Sequence, residues 1–513
     1  MSQKEKKPSG NSILRMVLVA VSLLVQIVWI LMLFLKLNEH FALLSMFSNV
    51  LAVIVVLRLY SKHTTAAMKM PWIMLILAFP VMGLTLYLLI EGFGDLGGTG
   101  KCLKAAREQN AEKLVQDPAA FARLEQTDLS VANQSRYLWN YVHSPVYENT
   151  AVRYYAEAVD AFEAMKADLE QAESFIFMEY FIIEDTSSFR EIQEILVRKA
   201  KQGVQVRLMY DDIGSIGYVN FRFARDLNAQ GIRCRVFNPA MPVLNLFMNH
   251  RDHRKITVVD GKVGFTGGYN LADEYFDRSH PYGKWKDTGL RLEGEAVRSL
   301  TAEFLEMWQA STKEKEDCVP FLDVSHSVPQ ARGFVQPFGD DPLGKERAAE
   351  NVYLNLTARA QKTLYFITPY LIITDEMRSA LGLAAKRGVD VRIITPGIPD
   401  KKTIYGVTRS YYAGLAQQGV RIFEYTPGFC HAKVCLCDGD AASVGTSNLD
   451  YRSLYLHFEN NVLLYGCEAV RDIARDFDAL FPQCEEVTEQ YRTGRTAFLR
   501  TWQCILRLFA PLM

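Results

Sequence analysis

The chain has 513 residues, more than a single hydrophobic core usually supports, so more than one domain is expected. Its formal net charge is −1, from 57 basic and 58 acidic side chains. This balance disfavours a nucleic-acid partner, because proteins that bind nucleic acids usually carry a basic excess.

Apolar segments dominate the first hundred residues. Met16–Leu35 and Pro71–Ile90 contain no charged side chain, and each is long enough to cross a hydrocarbon core as a helix. Phe41–Leu57 is shorter and carries polar side chains, so a short span and a re-entrant segment both remain open. Buried soluble helices and a cleaved signal peptide are the alternatives; the length of the first run and the lack of a cleavage site favour uncleaved spans. Residues 1–100 are therefore predicted to be a membrane anchor with two or three transmembrane helices.

Charge and cysteine content disagree about the orientation of this anchor. The basic residues before the first run and between the second and third runs are Lys4, Lys6, Lys7, Arg15, Arg58, Lys62 and Lys69. The positive-inside rule places both groups in the cytoplasm, and three full spans would then put everything after Ile90 outside it. The nine cysteines, an odd number without regular spacing, indicate a reducing compartment instead. A multi-pass membrane protein is expected, with the side of its remaining chain open.

From about Ala151 onward the chain resembles itself. Lys201–Arg207, with the sequence KQGVQVR, recurs as Lys386–Arg392, with the sequence KRGVDVR. Each copy follows a helical stretch and opens a β-rich run, which predicts an α/β fold. Two copies indicate two similar domains and not a solenoid. The predicted boundaries are 101–150 for a linker, 151–330 for the first domain and 331–513 for the second.

Both repeats contain the motif H-x-K-x4-D, followed by an asparagine 17 positions after the histidine. The members are His253, Lys255, Asp260 and Asn270 in the first repeat, and His431, Lys433, Asp438 and Asn448 in the second. Each aspartate precedes a glycine and follows an apolar run, which predicts a hairpin turn. A turn-forming role and a role in the site are therefore both open for the aspartates. On a strand, the histidine and lysine project from the same face.

Two histidines and two lysines can transfer a phosphoryl group, and neither a metal nor a cofactor is expected. One neutral imidazole can attack phosphorus while the other, protonated, gives its proton to the leaving alcohol. The lysines, with Asn270 and Asn448, can bind the non-bridging phosphate oxygens. A nucleophilic histidine also needs an orienting carboxylate on its far nitrogen. Asp287 and Glu459 lie at similar distances after their own histidines and are predicted to fill this role, with surface charge as the alternative.

These paired motifs resemble those of the phospholipase D superfamily, and the apolar segments, with Pro71 and Trp72, resemble the anchor of bacterial cardiolipin synthases. The resemblance covers nearly the whole chain and is least informative over 101–150. It implies N-terminal transmembrane helices in a bacterial cell membrane, followed by two phospholipase D-type α/β domains packed as a pseudo-two-fold pair. It also implies transfer of a phosphatidyl group between two phosphatidylglycerol molecules, through a phosphatidyl-histidine, to give cardiolipin and glycerol. By the same resemblance His253 is the nucleophile and His431 the acid/base, roles that the sequence alone leaves interchangeable.

Other activities use the same motifs. A hydrolytic phospholipase D would use water in place of the lipid hydroxyl, and a phosphatidylserine-type synthase would differ in its acceptor pocket. An anchored nuclease is disfavoured by the near-neutral charge and the membrane segments. Phosphatidylglycerol and the lipid bilayer are the expected partners, without nucleic acid, and the sequence does not indicate an oligomeric state.

Two further segments are candidates for lipid contact. In the first repeat 22 positions separate Gly231 from His253, against 12 at the matching place in the second repeat. The extra residues include the apolar segment 241–248, which is predicted either to dip into the bilayer or to pack on the protein. Arg492–Met513 mixes arginines with large apolar side chains, as an interfacial helix does. A terminal helix docked on the domain is the alternative.

Overall fold

The computed structural model describes residues 42–62, 64–91, 98–239, 250–312, 316–493, 506–508 and 510, with isolated positions between 17 and 32. The segment 241–248 and most of Met16–Leu35 and Arg492–Met513 therefore lie outside the described residues.

Within residues 42–91, the described chain forms a bundle of three apolar helices. They are α1 (Ala42–Ser61), α2 (Ala66–Ala78) and α3 (Pro80–Glu91). The prediction that Pro71–Ile90 forms one continuous span is wrong, because the chain leaves the helical conformation at Phe79 and Pro80 begins a new helix. In the described parts of the chain, no helix combines the length and the hydropathy needed to cross a bilayer.

Residues 98–142 are mostly helical. The elements are α4 (Gly98–Ala111), α5 (Pro118–Thr127), α6 (Leu129–Tyr137) and a π-helical turn (Leu138–Val142). Arg107 on α4 donates from Nε to Glu306 Oε2 at 2.9 Å, and Asn110 donates to Ala302 O at 3.4 Å. These contacts hold the segment that was predicted as a linker against the first half.

The first half is built on a seven-stranded sheet. Its elements are β1 (Thr150–Tyr155), α7 (Ala158–Glu170), β2 (Phe175–Tyr180), α8 (Ser187–Lys201), β3 (Gln205–Asp211), α9 (Asp212–Ser215), α10 (Phe223–Ala229), β4 (Arg233–Phe237), β5 (Arg251–Asp252), β6 (Lys255–Val259), β7 (Val263–Gly267), a 3₁₀ turn (Asp273–Phe276), β8 (Lys284–Lys286), β9 (Gly289–Gly294), α11 (Val297–Ala310) and α12 (Val319–Leu322). The strand order is β1-β9-β7-β6-β2-β3-β4.

The second half repeats this plan. Its elements are β10 (Phe334–Asp340), α13 (Ala348–Arg359), β11 (Thr363–Ile367), β12 (Leu371–Ile372), α14 (Asp375–Lys386), β13 (Asp390–Pro396), α15 (Lys402–Ala416), β14 (Arg421–Tyr425), β15 (Gly428–Cys430), β16 (Val434–Cys437), β17 (Ala441–Gly445), β18 (Leu449–Asp450), α16 (Tyr451–Tyr455), β19 (His457–Tyr465), α17 (Glu468–Leu480), a 3₁₀ turn (Phe481–Gln483), β20 (Cys484–Glu486) and α18 (Thr488–Thr493). The main strand order, β10-β19-β17-β16-β11-β13-β14-β20, matches the first sheet strand for strand until β20 extends it. The predicted pair of similar α/β units is confirmed, while their exact boundaries stay a prediction.

The two halves exchange short strands. β5 pairs in parallel with the start of β19, and β8 pairs in parallel with β15. Behind these contacts one buried apolar cluster takes side chains from both sheets, including Phe177 and Leu290 from the first and Val434 and Val462 from the second. β5 directly precedes His253, and β15 directly precedes His431. The packing of the halves therefore decides what surrounds each imidazole.

Candidate active site

The two motifs occupy equivalent hairpins. Lys255 begins β6, which pairs antiparallel with β7, and Lys433 directly precedes β16, which pairs antiparallel with β17. The backbone N–H of each histidine is tied to the opposite half: His253 N donates to Phe458 O at 2.9 Å, and His431 N donates to Lys286 O at 2.7 Å. The hairpins therefore bring both histidines to the junction of the halves.

Each histidine is held by a carboxylate from the other half. His253 Nδ1 lies 3.0 and 2.9 Å from the two carboxylate oxygens of Glu459, and His431 Nδ1 lies 2.7 Å from Asp287 Oδ2. The sequence predicts a pairing of each carboxylate with the histidine of its own half, and that prediction is wrong, because each carboxylate contacts the histidine of the other half. Both carboxylates are fully buried, and Glu459 also accepts from the hydroxyl of Thr446. The two motifs form one composite site.

Burial sets the charge state of the motif side chains. It lowers the pKa of Lys255 to about 7 against the opposing pull of Glu459, and it lowers the pKa of Lys433 to about 8 against that of Asp287. Burial, reinforced by Lys433, lowers the pKa of His431 to about 4. Burial, reinforced by Lys255, also holds the pKa of His253 well below its usual value. Both imidazoles are therefore neutral at physiological pH before an anion enters.

The lysines lie beside the histidines of their own motifs. Lys433 Nζ is 2.8 Å from His431 Nδ1 and 3.0 Å from Nε2. Lys255 Nζ donates to the backbone oxygen of His253. Both lysines are buried, so their positive charge acts in a medium where it is poorly screened.

The motif aspartates do not reach the histidines. The Asp260 carboxylate accepts three backbone N–H bonds at 2.8 Å from the segment Glu173–Phe175, and Asp438 accepts three at 2.7–2.9 Å from Gln361–Thr363. Both aspartates have positive φ, 52° and 50°, as a tight hairpin turn formed by an aspartate and the next glycine requires. Five residue steps along a strand separate each aspartate from its lysine, a distance of about 17 Å. Both aspartates therefore have the turn-forming role and do not contact the histidines.

The two asparagines differ in what their amides contact. Asn270 Oδ1 accepts from Ile182 N at 3.0 Å, and its amide nitrogen donates to the hydroxyl of Tyr275 at 2.9 Å. Its amide is therefore engaged within the protein. Asn448 is buried, and its Oδ1 has no hydrogen-bond partner among the described residues.

Several side chains around the histidines were missed by the sequence reasoning. The ring of Trp285 lies 5.5 Å from His431, centre to centre, and the ring of Tyr275 lies 5.3 Å from it. On the other side Phe181 and His457 lie 5.0 and 5.5 Å from His253. Trp285 and His457 stand two positions before Asp287 and Glu459, so strand alternation could have placed them on the same face.

One group of the described side chains has metal-ligand geometry. His253, His457 and Glu459 each offer a donor atom, and these atoms lie within 4.8 Å of one another. Two histidines and a carboxylate are a donor set that Zn²⁺ accepts. Glu459 already contacts His253 Nδ1, so a metal there would compete with the histidine–carboxylate pair.

Two matching α/β halves that bring paired histidine–lysine motifs into one buried site define a phospholipase D-like protein. The family model described as "Cardiolipin synthase, PLD-like domain" matches residues 165–308 and 353–481. A second model, described as "Phospholipase_D-nuclease N-terminal", matches residues 48–92. The chain belongs to the cardiolipin synthase family.

Relatives match over most of the chain. An uncharacterized protein of Streptococcus mutans serotype c is 41% identical over 446 residues, which cover 86% of this chain and 96% of that protein. A cardiolipin synthase of Halalkalibacterium halodurans is 33% identical over 472 residues, covering 90% of this chain and 91% of the relative. Cardiolipin synthase 2 of Bacillus cereus is also 33% identical over 472 residues, covering 89% of each.

A solved structure shares the fold. The phosphatidylserine synthase of Haemophilus influenzae Rd KW20 superimposes with a TM-score of 0.55 at 13% identity, over 74% of this chain and all of that one. At this identity the likeness concerns the arrangement of the two α/β halves.

Proposed function

We propose that this chain is a cardiolipin synthase, which transfers a phosphatidyl group from one phosphatidylglycerol to a hydroxyl of a second and releases glycerol. The observation that carries the proposal is the crossed pair of histidine–carboxylate contacts in one buried site, at 2.9 Å for His253 with Glu459 and 2.7 Å for His431 with Asp287. Family membership supports the choice of a phospholipid substrate.

The first step forms the covalent intermediate. With its Nδ1 proton donated to Glu459, His253 keeps a lone pair on Nε2, and this nitrogen attacks phosphorus. The bond from phosphorus to the glycerol oxygen breaks, and His431 gives that oxygen its proton. The product is a phosphatidyl-histidine and free glycerol. Each histidine has a buried carboxylate on Nδ1 and a lysine beside it, so the choice of His253 as nucleophile follows from the family resemblance.

The second step reverses the roles. His431, now neutral, takes the proton from a hydroxyl of a second phosphatidylglycerol, whose oxygen attacks phosphorus. The bond from phosphorus to His253 breaks, which frees the imidazole and completes cardiolipin. Water in place of the lipid hydroxyl would give phosphatidic acid instead.

The bound phosphodiester prepares the site for this chemistry. Its negative charge lies in a buried environment and favours the protonated forms of Lys255, Lys433 and one histidine. We therefore expect substrate binding to raise the low pKa of His431 toward the range in which it can act as an acid. Lys255, Lys433 and the amide nitrogen of Asn448 are proposed to position the phosphate, because N–H groups can donate to its non-bridging oxygens.

We also propose that residues 1–100 attach the enzyme to the bacterial cell membrane, with Met16–Leu35 as a transmembrane segment. The length of this run without a charged residue supports the assignment. A synthase gains from such attachment, since the acceptor lipid must reach the intermediate before water does.

The product lipids test the proposal. Purified enzyme in mixed micelles with phosphatidylglycerol as the only phospholipid should give cardiolipin and glycerol in equal amounts. Phosphatidic acid as the sole product would identify a hydrolase and overturn the proposal. His253→Ala and His431→Ala should each abolish turnover, and wild-type activity in either variant would refute a shared site.

A further inference from the structure

α2 and α3 form an antiparallel helical hairpin. The rings of Trp72 and Tyr87 meet at 5.6 Å between centres, although 15 residues separate them in the chain. A side chain at Gly83 would place its Cβ 2.6 Å from the Cα of Ile76, so the helices touch backbone to backbone there. Both pairs lie symmetrically about the peptide bond that joins Phe79 to Pro80. The chain therefore reverses fully at Phe79.

The arms of this hairpin have the length of one leaflet. From Lys69 to Ala78 the helix rises about 14 Å at 1.5 Å per residue, and α3 is about 18 Å long. A hydrocarbon core is about 30 Å thick, so each arm reaches about its middle. No charged residue occurs between Lys69 and Glu91. The hairpin can enter such a core from one side without leaving a charge inside it.

The outer surface of the hairpin is apolar up to its tip. Its exposed large side chains are Met70, Met74, Leu77, Phe79 and Leu88. Phe79, at the reversal, is 59% exposed. Exposed large apolar side chains grouped in this way mark a membrane or protein interaction surface.

The loop that enters α2 is basic. Lys69 donates from Nζ to the backbone oxygens of Tyr60, at 3.1 Å, and Lys62, so its ammonium group is fixed beside the loop that enters α2. Lys62 Nζ lies 5.5 Å from the centre of the Tyr87 ring. Cations at the base and apolar side chains at the tip match anionic head groups above an acyl interior.

We propose that α2 and α3 insert as a re-entrant hairpin into one leaflet, with Phe79 deepest and with the basic loop that enters α2 and both α/β halves on the cytoplasmic side. This inference rests on the membrane attachment proposed above. It reconciles the basic loop with the cysteines that follow it, because a hairpin leaves the chain on the side from which it entered. The basic loop and the eight free cysteines of the described residues then lie together in the reducing compartment.

Thiol labelling in sealed vesicles tests this topology. Thr64→Cys probes the loop, Phe79→Cys the tip and Gln417→Cys an exposed position of the second half; the unsubstituted chain reports labelling of the native cysteines. A membrane-impermeant maleimide should label the first and third variants in inside-out vesicles only. Phe79→Cys should react in neither vesicle type until detergent is added, and Leu77→Cys, close to the tip, provides the same measurement if Phe79→Cys fails to accumulate.

Three results would overturn the topology. Labelling of the tip from either side, labelling of loop and second half from opposite sides, or labelling of both from the outside would each contradict it. The pattern is read without lipid products, so a failed topology and a failed cardiolipin assay are separate outcomes. Cardiolipin formation by each variant in detergent checks that it is folded.

Discussion

Replacing Glu459 by glutamine should disable His253 while leaving the fold in place. The carboxylate contacts Nδ1 at 2.9 and 3.0 Å and is fully buried, so solvent cannot take over its role. A glutamine of the same size can turn its amide nitrogen toward Nδ1, which would move the imidazole proton to Nε2, the atom that must attack. Loss of the correct tautomer costs about 10⁴-fold in a serine-protease triad. Because Lys255 remains beside His253, we expect a smaller loss in kcat, about 10²- to 10³-fold, or about 3–4 kcal/mol.

The assay compares initial rates of cardiolipin formation by Glu459→Gln and by a matched control, Glu350→Gln. Glu350 is a buried carboxylate of the same half that bonds to Thr374 and Tyr455 and contacts neither histidine. The control should keep near-wild-type kcat even if its melting temperature falls. A folded Glu459→Gln enzyme within tenfold of the wild-type kcat would refute the orienting role of this carboxylate.

Three further results are expected. Asp260→Asn should lower the free energy of unfolding by about 1–3 kcal/mol, because an amide cannot accept all three backbone N–H bonds, while kcat of the folded enzyme stays unchanged; a large loss in kcat without destabilisation would contradict this. The value of kcat/KM should fall as pH rises through about 7 to 8, since Lys255 and Lys433, with pKa values of about 7 and about 8, then lose the charge that binds phosphate; a profile flat to pH 9 would exclude that role. Gly268→Ala should reduce kcat by more than tenfold, because its Cβ would lie 2.1 Å from Asp287 Oδ1 and displace the carboxylate; normal kcat in a folded variant would rule this out.

The repeat made the architecture readable from the sequence. The recurrence of Lys201–Arg207 at Lys386–Arg392 correctly indicated two similar α/β units, and these segments enter β3 and β13, which occupy equivalent places in their sheets. The Asp-Gly steps correctly indicated the two motif hairpins. The repeated segment and the Asp-Gly pairs are local features, because neighbouring residues determine whether the chain forms a turn or a strand.

The carboxylate partner of each histidine could not be predicted from such local features. Whether Glu459 faces His253 or His431 depends on how β5 packs beside β19 across the junction, and this contact joins residues about two hundred positions apart. Spacing along the chain suggested partners within each half. The packing of the halves instead places each carboxylate beside the histidine of the other half.

The sequence carries a signal for the reversal at Phe79 that the prediction of a single span did not use. Pro80 and Gly83 are residues that begin a helix and permit close helix contact, yet the uncharged length of Pro71–Ile90 favoured a single span. Length measures only whether a segment can cross a core. Whether the chain crosses or turns back depends on breaks in the helix, such as the one at Phe79.

Trapping the covalent intermediate tests most directly that both halves serve one transfer reaction. Enzyme quenched in acid-free denaturant within milliseconds of mixing with ³²P-labelled phosphatidylglycerol should carry label on the peptide that contains His253, and the label should be lost in His253→Ala and Glu459→Gln. Chase with unlabelled phosphatidylglycerol before the quench should convert the labelled intermediate to cardiolipin. Label on both histidine peptides, or cardiolipin formed at the normal rate by an enzyme that never becomes labelled, would contradict a single site with one nucleophile.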